Sequence, residues 1–397
     1  MPAQVRSVPT GVWVLGFVSL LMDISSELIH SLLPVFLVTV VGASAFAVGM
    51  LEGVAEATAL IVRLFSGTLS DWLGRRKPLA VAGYALGALS KPLFALATSF
   101  SMVFAARCVD RIGKGIRGAP RDALIADLTP AAERGAAYGL RQSLDTVGAF
   151  AGPLLAIVLM LLWANDFRAV FWVAVIPAAV AVALLLFGVH EPQQKLPRRR
   201  INPIHWRALS RLRSAYWWVV AIGAIFTLAR FSEAFLILRA QQNGLPLAWI
   251  PLVLVAMNLV FAVSAYPFGR LSDRMRHTRL LALGLVVLIG ADLLLACANS
   301  WPVVFLGVAL WGLHLGITQG LLATMVAATA PDDLRGTAFG FFNLLSGLAL
   351  LLASGLAGLL WDQLGASWTF FTGAAFCLVA LAVIAARPGS GDILRPK

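Results

Sequence analysis

Long apolar runs separated by short polar connectors dominate the chain. Twelve of them fall at about residues 11–39, 46–68, 78–97, 100–119, 137–162, 168–188, 216–240, 248–268, 279–298, 302–328, 336–360 and 366–386. At about 1.5 Å per residue, each is long enough to cross the roughly 30 Å hydrocarbon layer of a bilayer as a helix. None shows the period-two alternation of ten-residue barrel strands, so the pattern predicts an all-α integral membrane protein with twelve transmembrane helices. The first run is too long for a cleaved signal, carries Asp23 and Glu27, and lacks a small-residue cleavage site after a short apolar region, so it is expected to remain as a span.

Composition agrees, with hydrophobic residues at 60%, charged residues at 13% and a mean hydropathy of +0.86. A water-soluble domain could not bury that much apolar surface. The cysteines Cys108, Cys297 and Cys377 each lie inside an apolar run without CxxC or Cys/His spacing, which points to packing rather than to a metal or a disulfide.

The net charge of +12 is unevenly placed, and its placement changes the picture. Of 31 Lys and Arg, 23 fall in the termini and the even-numbered connectors, whereas the odd-numbered connectors hold only Arg168. The positive-inside rule therefore predicts cytoplasmic N and C termini in a multi-pass protein of the plasma membrane, in a bacterium the inner membrane. The run KLPRRRINPIHWRALSRLR reads as a topogenic linker lying on anionic membrane lipids, and no nucleic acid is needed to explain the charge.

GTLSDWLGRRK at 67–77 is nearly repeated by FGRLSDRMRHTR at 268–279, with Gly67 and Gly269 202 residues apart. A second pair, AAERGAAYGLRQSLDTVGAF at 131–150 and PDDLRGTAFGFFNLLSGLAL at 331–350, is offset by 201, so the two offsets agree. Together they predict a six-plus-six duplication: residues 1–189, a basic linker 190–215, and residues 216–397.

On these residues the chain resembles the major facilitator superfamily along nearly its whole length. The signature G-x-L-[GS]-D-x-x-G-R-[RK] between spans 2 and 3 is met by Gly67, Leu69, Ser70, Asp71, Gly74, Arg75 and Arg76. The second copy keeps Gly269, Leu271, Ser272 and Asp273 but has Arg276 and His277 in place of Gly74 and Arg75. The resemblance implies two six-helix bundles related by a pseudo-two-fold repeat, with these turns latching each bundle at its cytoplasmic face. The fourth span ends with Arg111, Lys114, Gly115 and Ala119, loosely similar to a stretch of proton-coupled members, with Lys114 at the usual glutamine. Gly148, Gly152 and Pro153 resemble the G-x-x-x-G-P motif of antiporters, although close helix packing around a tolerated proline kink explains the same residues.

Charges inside the spans carry the chemistry, because each costs about 2.5–3.5 kcal/mol at a helix centre on insertion scales. Asp23, Glu27 and His30 share one face of the first span; Arg107, Asp110, Arg111 and Lys114 cluster on the fourth; Arg230 and Glu233 fall in the seventh, and His314 and Gln319 in the tenth. In the family resembled, spans 1, 4, 7 and 10 line the central cavity, so the substrate and proton site is expected at Asp23, Glu27, Arg107, Asp110, Arg111, Lys114, Arg230 and Glu233. Glu52, Glu56, Arg63, Lys91, Arg141 and Asp145 are further candidates, for proton relay or for helix pairing. Arg117, Arg121 and Asp122 are expected to pair with Asp71 or Arg75.

The resulting expectation is a monomeric, cofactor-free secondary transporter of a small-molecule substrate that moves protons and is driven by the proton motive force. Proton-coupled export is set against uptake of a polar or anionic nutrient held by Arg107, Arg111 and Lys114. A membrane-embedded enzyme is disfavoured, since no HxxxxD, GxSxG, HExxH or GxxxxGK[ST] motif occurs.

Overall fold

A computed structural model of the chain describes residues 9–130, 133–191, 211–272, 274–318, 320–331 and 334–386, with the side chains at 68, 71, 335 and 336 outside the described set. Every regular element among these residues is helical: α1 (Thr10–His30), α2 (Leu33–Thr39), α3 (Ala45–Leu73), α4 (Lys77–Leu96), α5 (Phe100–Leu128), α6 (Arg134–Leu162), α7 (Phe167–Val173), α8 (Val175–Gly188), α9 (Ser214–Ala229), α10 (Ala234–Gln242), α11 (Leu252–Ser272), α12 (His277–Ala296), α13 (Trp301–Thr318), α14 (Leu321–Thr329), α15 (Arg335–Leu364) and α16 (Ala366–Ala385). Most of the basic linker lies outside the described residues.

Among the described residues, eleven helical stretches are long and apolar enough to cross a membrane. The twelfth expected span is α5, whose 29 residues are sufficient in length but too rich in charge to be recognised by hydropathy. Its charges point inward, with Arg107, Asp110, Arg111 and Arg117 each at most 5% exposed.

Several spans are interrupted. The first breaks at 31–32 between α1 and α2 and the seventh at 230–233 between α9 and α10; in the tenth, α13 ends at Thr318 and α14 starts at Leu321. Pro34 favours a fresh helix start after the first break, since it has no N–H to give to the preceding turn. Gly320 adopts φ 74°, which side chains rarely tolerate. In the seventh span the freed Ser232 N–H donates to Ser354 Oγ at 3.2 Å. Interrupted helices leave backbone groups that lipid cannot satisfy, so they are stable only where protein or water lines them.

The described residues divide into two compact units, one holding those up to His30 and from Thr58 to Glu191, the other Ser31–Ala57 and those from Arg211 onward. In the first, α1 packs on α6 and α8, and α4 packs on α5 and α8. In the second, α9 packs on α15 and α16, and α12 packs on α13 and α16. Counted in spans, the pairs 1–5, 1–6, 3–4 and 3–6 recur as 7–11, 7–12, 9–10 and 9–12, so the duplication read from the sequence is a duplication of packing.

Small residues set the closest approaches, as expected where lipid offers no hydrophobic drive between helices. A methyl on Gly113 of α5 would lie 2.7 Å from Gly83 O of α4. In the second unit, a methyl on Gly358 of α15 would lie 2.6 Å from Ala45 O at the start of α3. There the Asp362 carboxylate accepts from Ala45 N at 3.0 Å and Phe46 N at 2.9 Å, capping α3 from another helix.

Candidate functional site

Four helices of the first unit build the charged region. On α1, Asp23, Ser26, Glu27 and His30 are partly exposed along one side, and Glu27 Oε2 lies 3.3 Å from His30 Nδ1. Facing elements of α4 and α5 hold a buried ion pair, Lys91 Nζ to Asp110 Oδ1 at 2.7 Å, in which the two side chains are 1% and 4% exposed. Lys91 also donates to Ser26 Oγ at 3.0 Å and thereby ties the pair to α1. Arg111 Nε lies 3.8 Å from Asp110 Oδ2, and Ser90 Oγ donates to Asp110 Oδ1 at 3.4 Å. Asp110 is thus the acid around which this part of the unit is organised.

Lys114 is exposed and acts electrostatically on both Asp23 and Glu27, while Arg111 acts on Glu27. The structure therefore brings together Asp23, Glu27, Arg107, Asp110, Arg111 and Lys114, with Lys91 as a seventh member that the sequence ranked lower. Counting Arg117 as well, five cations meet three acids there, and this surplus of positive charge favours anionic groups. Arg117 lies over the Tyr84 ring at 4.9 Å, and Tyr84 OH lies 3.1 Å from Ser19 Oγ.

Arg230 and Glu233 belong to the second unit and are near enough to interact. They do not sit within a continuous seventh helix as expected; both fall in its break, Arg230 at the end of α9 and Glu233 just before α10. Arg230 lies 6.0 Å from the Phe226 ring, and that ring packs on fully buried His314, whose Nδ1 is 2.8 Å from Gly284 O. Gln319 lies outside the described residues.

The α6 motif has a plain steric role. A methyl on Gly148 would lie 2.8 Å from Leu20 O and 2.9 Å from Asp23 Cβ, and one on Gly152 would lie 2.8 Å from Ile24 O and 2.9 Å from Glu27 Cβ. These glycines press α6 onto α1 directly behind the two acids, with Pro153 buried beside them.

At the repeated turn, a methyl built on Gly67 would lie 3.4 Å from Ala119 Cβ of α5, and Gly74 has φ 63°, which closes the turn before α4. Arg76 Nε bonds Asp127 Oδ2 at 2.6 Å and its backbone N–H donates to Glu191. The side chain of Asp71 and all of Asp273 lie outside the described residues. Among the described residues nothing lies within 4 Å of a methyl built on Gly269, so the second copy lacks the contact of the first. Arg75 is exposed, and among the described residues Asp122 pairs with Arg63 at 3.6 Å, Arg121 at 3.1 Å and Arg141 at 3.4 Å rather than with Arg75. Arg121 also donates to Ser19 at 3.0 Å, and Arg141 pairs with Asp145 at 3.0 Å as its spacing implied.

Two buried ionisable residues of the second unit escaped the sequence reading. Arg239, 7% exposed, donates to the carbonyls of Leu295, Ala296 and Ala298, closing the end of α12. Asp292 is fully buried in α12. A lone acid within an otherwise uncharged span was the available signal for it.

Repeated six-span packing, interrupted helices and ionised side chains inside the spans define a membrane transporter architecture. The Major Facilitator Superfamily profile matches residues 15–260 and 234–392, and the chain belongs to that superfamily. Among its relatives, an uncharacterized MFS-type transporter of Methanocaldococcus jannaschii is 31% identical over 94% of both chains. The multidrug resistance protein MdtH of Photorhabdus laumondii is 27% identical, covering 94% of this chain and 89% of that one. A crystal structure of a peptide transporter, POT, shares the fold with a TM-score of 0.81 at 14% identity, over 97% of this chain and 96% of the other. The protein is a transporter and not an enzyme.

Proposed function

We propose that the protein exports a small solute in exchange for protons by alternating access. The observation that carries this reading is the meeting of partly exposed Asp23 and Glu27 with Lys114 and Arg111 beside the buried Lys91–Asp110 pair. Protonating an α1 carboxylate removes its attraction to the α5 cations, and that differential interaction is what a proton needs to bias two conformations. Moving one charge through 100 mV is worth about 2.3 kcal/mol, roughly a fiftyfold gradient, so the proton motive force suffices without a cofactor. The likeness to MdtH supports export.

The surplus of cations around Asp110 favours a second reading, uptake of an anionic nutrient. In both readings the protein is a monomer in the bacterial inner membrane with its termini in the cytoplasm, as the Lys and Arg distribution implies. A thermal-shift screen of organic cations, organic anions and neutral drugs identifies a ligand through its stabilisation of the folded state. Its flux is then followed in reconstituted vesicles with an imposed pH gradient. Flux that follows the gradient and is lost in Glu27→Gln supports proton coupling; flux indifferent to both removes it.

A further inference from the structure

Asp292 lies one turn before the end of α12, 0% exposed, and neither carboxylate oxygen has a hydrogen-bond partner among the described residues. Its Oδ2 occupies the space that a side chain at Gly373 of α16 would need, 2.7 Å from a built methyl, and Phe231 Cε1 lies 3.1 Å from the same point. The Phe231 ring is packed against Trp311 at 5.4 Å and Phe370 at 5.6 Å, and the buried Trp311 Nε1 is likewise unpartnered.

The ionisable groups on the elements packed around α12 are committed elsewhere. From α16, buried Cys377 senses Asp292 one turn beyond Gly373. From α13, His314 bonds Gly284 O, two turns earlier on α12. From α10, Arg239 bonds the carbonyls of Leu295 and Ala296, one turn beyond Asp292, so its donors are engaged there. Arg230 and Glu233 flank Phe231 and interact with each other, and α14 carries no ionisable residue. A bare carboxylate at Asp292 would therefore have no donor or counter-ion among the described residues, a state that a membrane interior strongly disfavours. A neutral acid fits the same space without those demands.

The break in the seventh span bears on access to this acid. Phe231 is part of the non-helical segment that breaks the seventh span, and a segment with few backbone hydrogen bonds opens at lower cost than a continuous helix. We propose that Asp292 is a proton-binding site of the second unit, loaded and emptied as Phe231 moves away from Gly373. Its use in coupling rests on the proton-exchange reading above, whereas its binding of a proton does not.

Infrared spectroscopy of the purified protein tests this. The wild type should show a carboxylic-acid C=O band at neutral pH that Asp292→Asn lacks, and the band should move to lower frequency within minutes in heavy water. Identical spectra for the two proteins, or a band unmoved after days in heavy water, would overturn the proposal. Should Asp292→Asn fail to fold, Cys377→Ser retains the acid beside an altered neighbour and must displace the band; an unchanged carboxylic-acid region also overturns the proposal. Vesicle flux insensitive to a pH gradient would remove the coupling role and leave the infrared result to decide on the site.

Discussion

The two units share a packing plan and treat buried charge in opposite ways. In the first, Asp110 is surrounded by Lys91, Arg111 and Ser90, and its neighbours reach α1 through Ser26. In the second, Asp292 faces Gly373 and a group of aromatic rings, with no partner for either oxygen among the described residues. Duplication preserved the helix pairs while the polar chemistry diverged. Packing constrains backbone approach along whole helices, whereas a charge is tolerated wherever its desolvation is offset locally.

The same substitution in both units separates these regimes most sharply. Asp110→Asn should cost about 3–5 kcal/mol, because it strands Lys91 and Arg111 without their acid. Asp292→Asn changes a group without partners and should cost less than about 1.5 kcal/mol. Thermal unfolding in detergent measures both, and equal losses would break the comparison.

Glycines give the next effect. Gly152→Ala should cost about 1–3 kcal/mol by pushing α6 off α1. Gly269→Ala, with open space around it, should be neutral or gain up to about 1 kcal/mol from helix propensity. A smaller loss, about 0.5–2 kcal/mol, is expected for Asp362→Ala, which uncaps the first two N–H groups of α3. Arg75→Ala, at an exposed turn position, should stay within about 0.5 kcal/mol of the wild type.

Much of this was legible in the chain. Apolar run length located the spans, the charged fourth one at 100–119 among them. The doubled G-x-L-S-D turn and its matched offsets revealed the duplication. What stayed hidden depends on tertiary partners. That Lys91 belongs to Asp110 requires knowing how α4 lies on α5, and the break at 230–233 has no proline or glycine to announce it. The repeated motif also concealed a difference, since Gly67 approaches a neighbour and Gly269 does not. Asp292 was overlooked because it stands in no motif.

The claim on which the functional account depends is that water reaches the acids of α1 during the cycle. Replacing Cys108, Cys297 and Cys377 by serine and introducing Glu27→Cys allows labelling by a membrane-impermeant maleimide added from either side of oriented vesicles. The account predicts reaction from both sides. A thiol at that position that stays unreactive from both sides, in a variant shown to be folded, would contradict it.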